Sequence, residues 1–168
     1  HNRLRRGKKL WTDAGRGARA GQGESSGPGP GTPDRSSLVA IAPSPVEKEL
    51  IWAGTGDGRV YLTRSGGGQW DDLRRRMRGV PEGTPVSHVV ASRHRVGTAY
   101  VAFDDQERGN RKPYLMRTEN YGQDWRNVIR DDQIQGPILT LVEDLESPNL
   151  LFAGTGSGLY LSLDRGEH

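Results

Sequence analysis

From Leu38 onward the apolar residues of this chain fall in short runs broken by Gly, Pro, Ser and Asp. The runs are rich in Val, Ile, Leu and aromatic residues, which predicts strands rather than helices. In the first stretch, Leu38 to Ala42, Leu50 to Ala53 and Val60 to Thr63 read as three consecutive strands. Residues 38–58 (LVAIAPSPVEKELIWAGTGDG) align without a gap on residues 138–158 (ILTLVEDLESPNLLFAGTGSG), which sets Ile41 on Leu141, Trp52 on Phe152 and AGTG on AGTG. A middle stretch, Val86 to Asp104, keeps the order of apolar run, polar connection and apolar run. Three units follow, over residues 37–80, 86–134 and 136–168, the last of them shortened.

A second pattern recurs in step with the first. The phrases TRSGGGQW (Thr63 to Trp70), TENYGQDW (Thr118 to Trp125) and SLDRGEH (Ser162 to His168) share Ser/Thr, a polar third residue and Gly at the fifth position. Each is predicted to turn the chain into a fourth strand beginning near the Trp. Gly67, Gly122 and Gly166 then stand where positive φ is needed. Asn120 and Asp164 suit a side chain accepting backbone N–H bonds across the turn; Ser65 does this more weakly. Trp70 and Trp125 are expected as buried anchors worth about 2–3 kcal/mol each. Thr63, Thr118 and Ser162 complete the structural set.

Successive box glycines lie 55 and 44 residues apart, and four strands at such a period match one blade of a β-propeller. The boxes resemble the Asp-box, or BNR, repeat of sialidases, sortilin-type receptors, xyloglucan-active glycoside hydrolases and photosystem assembly factors. The longer phrases, such as LIWAGTGDGRVYLTRSGGGQW and NLLFAGTGSGLYLSLDRGEH, are most similar to bacterial sortilin-like propeller proteins, often labelled glycosyl hydrolases. The resemblance covers about residues 37–168. It implies an all-β fold: a partial β-propeller of about three four-stranded antiparallel blades with box hairpins. It also implies a secreted or periplasmic parent chain whose remaining blades are a partner of this piece, since a ring needs about four to eight blades.

Function is less marked. No Phe/Tyr-Arg-Ile-Pro motif of the sialidase kind is present, and no carboxylate pair of the xyloglucan-active kind is recognisable by motif. The expectation is a binding scaffold for a protein, peptide or glycan. The alternative is a portion of a glycoside hydrolase, sialidase-like or xyloglucan-active-like, whose catalytic carboxylates lie largely outside this stretch. Asp71 with Asp72, and Asp131 with Asp132, are sequence neighbours that point to opposite faces of a strand, so neither pair forms a two-carboxylate site alone. His88 and His94 lack metal-ligand company at useful spacing, so neither a metal nor a cofactor is expected. Asp57 in GTGDG is turn chemistry, with a channel or cation role as the sharper reading.

The middle unit has an enlarged hairpin, Phe103 to Pro113 (FDDQERGNRKP), where the others have TGDG and TGSG. Propellers vary such loops to make binding surfaces, so Asp104, Asp105, Glu107, Arg108 and Arg111 are the candidate ligand-contact residues, with a solvated loop as the plainer reading. LRRRMRG at Leu73 to Gly79 reads as a basic surface connection between blades.

Charge and composition adjust this only at the N-terminal end. The net charge of +3 is uneven: residues 1–36 hold eight Lys and Arg against three acids. That arm is also Gly-, Ser- and Pro-rich, which favours a solvated linker over a nucleic-acid-binding arm in the absence of interleaved aromatics. There is no cysteine, so no disulfide framework. No run reaches the roughly 18 apolar residues of a membrane span.

Overall fold

The computed structural model describes residues 36–129 and 134–167. Nearly all of the basic arm, together with Asp131 and Asp132, lies outside them. The described residues form three antiparallel sheets. The first runs in the order β1 (Leu38–Pro43), β2 (Ile51–Thr55), β3 (Val60–Thr63), β4 (Asp71–Asp72). The second repeats it with β5 (Val86–Ala91), β6 (Ala99–Asp105), β7 (Asn110–Thr118) and β8 (Arg126–Asn127). The third has β9 (Ile138–Glu143), β10 (Leu151–Thr155) and β11 (Gly158–Ser162). The described residues thus form a partial β-propeller of three blades.

The three registers coincide. Ile41 faces Ala53, Val89 faces Val101, and Leu141 faces Ala153. In each blade the ladder also skips one residue near the start of the first strand, leaving Val39, Ser87 and Leu139 unpaired. Such bulges increase local twist. At the bulge the middle blade carries a hydroxyl, and Ser87 Oγ donates to the Ile138 carbonyl of the next blade at 2.8 Å.

Blades are held together by apolar faces that alternate along each strand. Trp52, fully buried, joins Ala42, Val60 and Leu62 on one face of the first blade and meets Ala99, Val101, Phe103 and Met116 of the second. The intervening residues Tyr100 and Ala102 point the other way, with Leu115, onto Ile138, Leu141, Leu151 and Ala153 of the third. The β6 run is therefore buried on both faces, which is why its sequence shows no polar alternation. Burying one such indole contributes about 3 kcal/mol.

The fourth strands are only two residues long and start after the Trp, because the chain must then leave for the next blade. Leu73 to Gly79 makes that exit and corrects the expectation of a purely surface connection. Leu73 and Met77 are core residues flanking a single 3-10 turn, Arg74–Arg76. Arg74 is half-buried and donates to the carbonyls of Met77 at 2.9 Å and of Val80 and Pro81 at 2.8 Å each.

Each box turn is tied by one hydroxyl. Thr63 Oγ1 accepts the N–H groups of Ser65 at 3.2 Å and Gly67 at 3.0 Å. Thr118 Oγ1 takes those of Asn120 and Gly122, and Ser162 Oγ those of Asp164 and Gly166. The third residue closes the far side: Ser65 Oγ, Asn120 Oδ1 and Asp164 Oδ1 accept from Gln69, Asp124 and Glu167 at 2.9–3.0 Å. Ser65 does this as closely as the carboxylate and amide do. The turn is pinned to the β1–β2 type of corner in its own blade, with Gly66, Tyr121 and Arg165 donating to the carbonyls of Glu49, Gly97 and Asn149 at 2.9 Å.

Gly67, Gly122 and Gly166 adopt φ of 101°, 76° and 79°. Two of them serve a further purpose. A Cβ on Gly122 would lie 2.4 Å from Leu73 Cδ1, and one on Gly166 would lie 1.8 Å from Val128 Cγ1. Leu73 and Val128 each follow the fourth strand of the preceding blade, so the box glycine is where one blade rests on its neighbour. Gly122→Ala is expected to lower stability by roughly 2–4 kcal/mol, combining left-handed strain with overpacking. Gly109→Ala has a similar φ of 78° but nothing within 4 Å, and is expected to lose about 1 kcal/mol. Equal losses in denaturant unfolding would reduce the box glycine to a matter of φ alone.

Candidate functional site

The antiparallel order sends the box turns to one end of the blades and the β2–β3 and β6–β7 hairpins to the other. At the hairpin end, β6 runs past Phe103 into Asp104 and Asp105, makes one 3-10 turn over Gln106–Arg108, and reverses through Gly109 into β7. Asp104 Oδ1 accepts the Gln106 N–H at 2.9 Å and shapes the turn.

Asp105 is turned inward and is only 3% exposed. Its carboxylate accepts Arg108 Nε–H on one oxygen and Asn110 Nδ2–H at 3.0 Å on the other. Arg108 then reaches the connector between the first two blades, donating to Glu82 O at 2.9 Å and Thr84 Oγ1 at 2.8 Å. The Thr84 carbonyl in turn lies against Gly58 of the β2–β3 hairpin, leaving 2.3 Å to a Cβ placed there. These contacts correct the expectation for Asp105, which is turned into the protein, because a buried carboxylate needs its cation and amide partners. Arg108 braces it while its own side chain stays 42% exposed. Glu107 and Arg111 stand exposed at the tip beside Lys112, and Asp104 is half-buried beneath them.

Burial alone would push the Asp105 carboxyl upward, but the bonds from Arg108 and Asn110 outweigh it and hold it below the usual carboxylate range. The ionised form is therefore favoured by folding. Its contribution is complete above the unfolded value near pH 4 and is lost as pH falls toward the lower folded value. The stability advantage of the wild-type chain over Asp105→Asn is accordingly expected at pH 7 and should shrink by pH 3, measured by thermal unfolding at both. An advantage that grows on acidification would contradict the ionised brace.

Asp57 accepts from Thr55 Oγ1 and lies 3.3 Å from Arg59 Nε, within an ion pair that continues from Arg59 to Asp72 at 3.3 Å. Its partners are thus its own hairpin and the neighbouring strand. His94 meets the Asp144 carbonyl through Nε2 at 2.7 Å. Beside it Glu143 accepts Ser92 Oγ–H at 2.8 Å and Arg93 N–H at 2.7 Å. The second and third blades are clasped there. No group of three or more His, Asp or Glu residues gathers to hold a metal ion among the described residues.

The residue most readily overlooked in the sequence is Arg117. It sits on β7 where the first and third blades have Leu62 and Leu161, and is only 1% exposed. Its guanidinium donates to Arg165 O at 2.7 Å and to Glu167, both in the box turn of the next blade. Glu119, Arg126 and Arg165 extend the cluster, with Arg165 3.0 Å from Glu119. The signal was a lone charge inside the run YLMRT. Arg117→Ala is expected to destabilise by roughly 2–4 kcal/mol through lost packing and the loss of its bonds to Glu167 and the Arg165 carbonyl. Arg117→Leu should recover part of that loss in denaturant melts, since leucine occupies the position in both other blades; equal losses would refute the packing share.

No protein-family profile and no curated protein matches the sequence. Solved structures do. A chain described as YCF48 from Cyanidioschyzon merolae superposes with a TM-score of 0.58 at 22% identity, over 82% of this chain and 37% of that one. One described as YCF48 bound to D1 peptide gives 0.59 at 16% identity, over 79% and 38%. The GH74 xyloglucanase of Xanthomonas campestris gives 0.52 at 21% identity, over 71% and 18%. This chain therefore spans well under half the length of each of these neighbours. At such identities the likeness is one of fold, and it agrees with the blades described above: the chain has a β-propeller scaffold.

Proposed function

We propose that the chain is part of an Asp-box propeller of the sortilin-like kind and serves as a binding scaffold for a protein or peptide. The β6–β7 hairpin is its contact loop. One observation carries this reading: a charged tip, Glu107, Arg111 and Lys112, stands exposed on a base fixed by the Asp105–Arg108 brace. A tip held on a rigid base loses little conformational freedom on binding. The YCF48 structure described as bound to D1 peptide lends support from a related fold. The box turns add to the Asp-box assignment, since hydroxyl, third residue and glycine act together in all three.

A second reading, a portion of a glycoside hydrolase, is favoured by the GH74 likeness. A general acid of that chemistry needs a raised pKa. Asp105 and Asp144 are instead held below the ordinary range, Asp144 chiefly by backbone N–H bonds from Ser147 and Glu146.

The test is a peptide array and a glycan array probed with the chain, followed by affinity measurement on the best peptide. The double charge reversal Arg111→Glu with Lys112→Glu is expected to weaken that binding about tenfold or more without lowering the melting temperature. Unchanged binding would remove the loop from the contact surface. Hydrolysis of xyloglucan by the parent protein that disappeared on replacing a loop acid within these blades would replace the scaffold reading with the catalytic one.

A further inference from the structure

The connector from β4 to β5 carries four arginines in five residues, Arg74, Arg75, Arg76 and Arg78. Arg74 is turned inward, onto the carbonyls that close the connector. The repeat does not ask for the other three. Counted from the box Trp, the next connector has Arg130, Asp131 and Gln133 at these places, and Ile129 at that of Arg74. They also stand against the charge of the repeats: residues 37–168 hold 16 Lys and Arg (24 less the arm's eight) against 18 Asp and Glu (21 less the arm's three). A basic patch on a net acidic body is thus a local feature of the seam between the first two blades.

The backbone beneath these side chains is fixed. Leu73, Met77 and Val80 are buried in the core shared by the two blades. The 3-10 turn over Arg74–Arg76 is closed by bonds from Arg76 N–H to Leu73 O at 3.0 Å and from Met77 N–H to Arg74 O at 3.1 Å. Arg75, Arg76 and Arg78 are exposed, and none of the three has a carboxylate at ion-pair distance among the described residues. Asp72, just before them, is committed to the Arg74 N–H at 2.9 Å and to Arg59 at 3.3 Å. Arg76 lies against the second box turn and donates to Gly122 O at 3.2 Å. A further guanidinium meets the residue before: Arg64, 58% exposed, stands over the Tyr121 ring at 4.2 Å from its centroid, and the Tyr121 hydroxyl donates to Glu47 at 2.9 Å. Arg64 and Arg76 therefore rest on consecutive residues, whose Cα atoms are about 3.8 Å apart.

We propose that Arg64, Arg75, Arg76 and Arg78 form a docking surface on this seam for an acidic polypeptide segment, a run of Asp and Glu residues. Guanidinium forks take carboxylates two bonds at a time. Arg76 gives one donor to Gly122 O and keeps the others for a ligand. Because the connector is pinned by Leu73 and Met77, its like charges are held together in the free protein, and an opposite charge relieves their repulsion as it binds. Ring-bearing polyanions fit less well. Nucleobases stack on open aromatic faces, and the two rings at this place are already engaged. Tyr121 lies beneath Arg64, and Trp125 is set edge-on to Trp52 with its indole N–H given to Gly122 O at 3.1 Å. The surface shares no residue with the tip of the β6–β7 hairpin, so it stands or falls independently of the function proposed above.

The test is calorimetric titration of the full chain with a synthetic hexaglutamate peptide, alongside a heparin oligosaccharide and a single-stranded DNA oligonucleotide. Saturable binding of the peptide is expected, weakening as added salt shortens the Debye length from about 10 Å to about 3 Å. The double variant Arg75→Glu with Arg78→Glu is expected to lower that affinity about tenfold or more, with a melting temperature level with or above that of the wild type. The same charge change on exposed arginines of the next seam, Arg93→Glu with Arg95→Glu, should leave peptide binding as it was. Four outcomes would each overturn the proposal. They are absence of peptide binding; unchanged affinity in the Arg75 and Arg78 variant, which assigns the binding to the basic arm; an equal loss in the Arg93 and Arg95 variant, which makes it a matter of net charge; and tighter binding of heparin or DNA that is lost together with Arg75 and Arg78.

Discussion

Everything in this structure depends on how closely one blade can approach the next. Each sheet has two faces, and a face is taken out of water only by its neighbour. The approach is limited by Gly122 resting on Leu73 and Gly166 resting on Val128, where a single methyl group would intrude to 2.4 Å and 1.8 Å respectively. A wider gap would withdraw Trp52 and Tyr100 from their opposing cores, and dispersion contacts fall away within an ångström. The box turn thus couples two demands that are chemically unrelated: a left-handed backbone and a bare Cα at the point of contact. Glycine alone meets both.

The fold was legible because it is written in local terms. Short apolar runs, turn residues and a phrase returning at a fixed place name the strands and their order, and the gap-free match of 38–58 on 138–158 reappears as identical register in two sheets. What could not be read were the partners that individual side chains meet. Asp105 looked like any acid in a charged loop, and only the fold reveals that Arg108, Asn110 and the connector carrying Thr84 surround it. Leu73 and Met77 were hidden among arginines, since a segment without period gives no face to assign. Lengths of the fourth strands were similarly obscure, because two residues are too few to show alternation.

The arginines of the chain divide between two kinds of work. Arg74, Arg108 and Arg117 use their forked donors to satisfy carbonyls and carboxylates at the seams, where connectors and turns leave backbone oxygens without ladder partners. One of them also meets an aromatic face, the Arg74 guanidinium carbon lying 5.9 Å from the Phe103 ring centroid. Arg111, by contrast, stands exposed with Lys112 at the loop tip. Position along the blade, not residue type, separates the cations bonded at the seams from those left in solvent.

Near-identical repeats face a sorting problem. The first and third blades share AGTG, the same register and much the same apolar faces, so greasy contact alone would let either stack in the wrong sequence during folding. Arg117 breaks that degeneracy. Its charge fits only against a blade that offers Glu167 and the Arg165 carbonyl, and the clasp of Glu143 by Ser92 and Arg93 repeats the address on the inner strands. A blade without those acceptors would strand a guanidinium in a dry seam. The buried cation therefore gives this seam contacts that the first seam, with Leu62 at the same register, does not have.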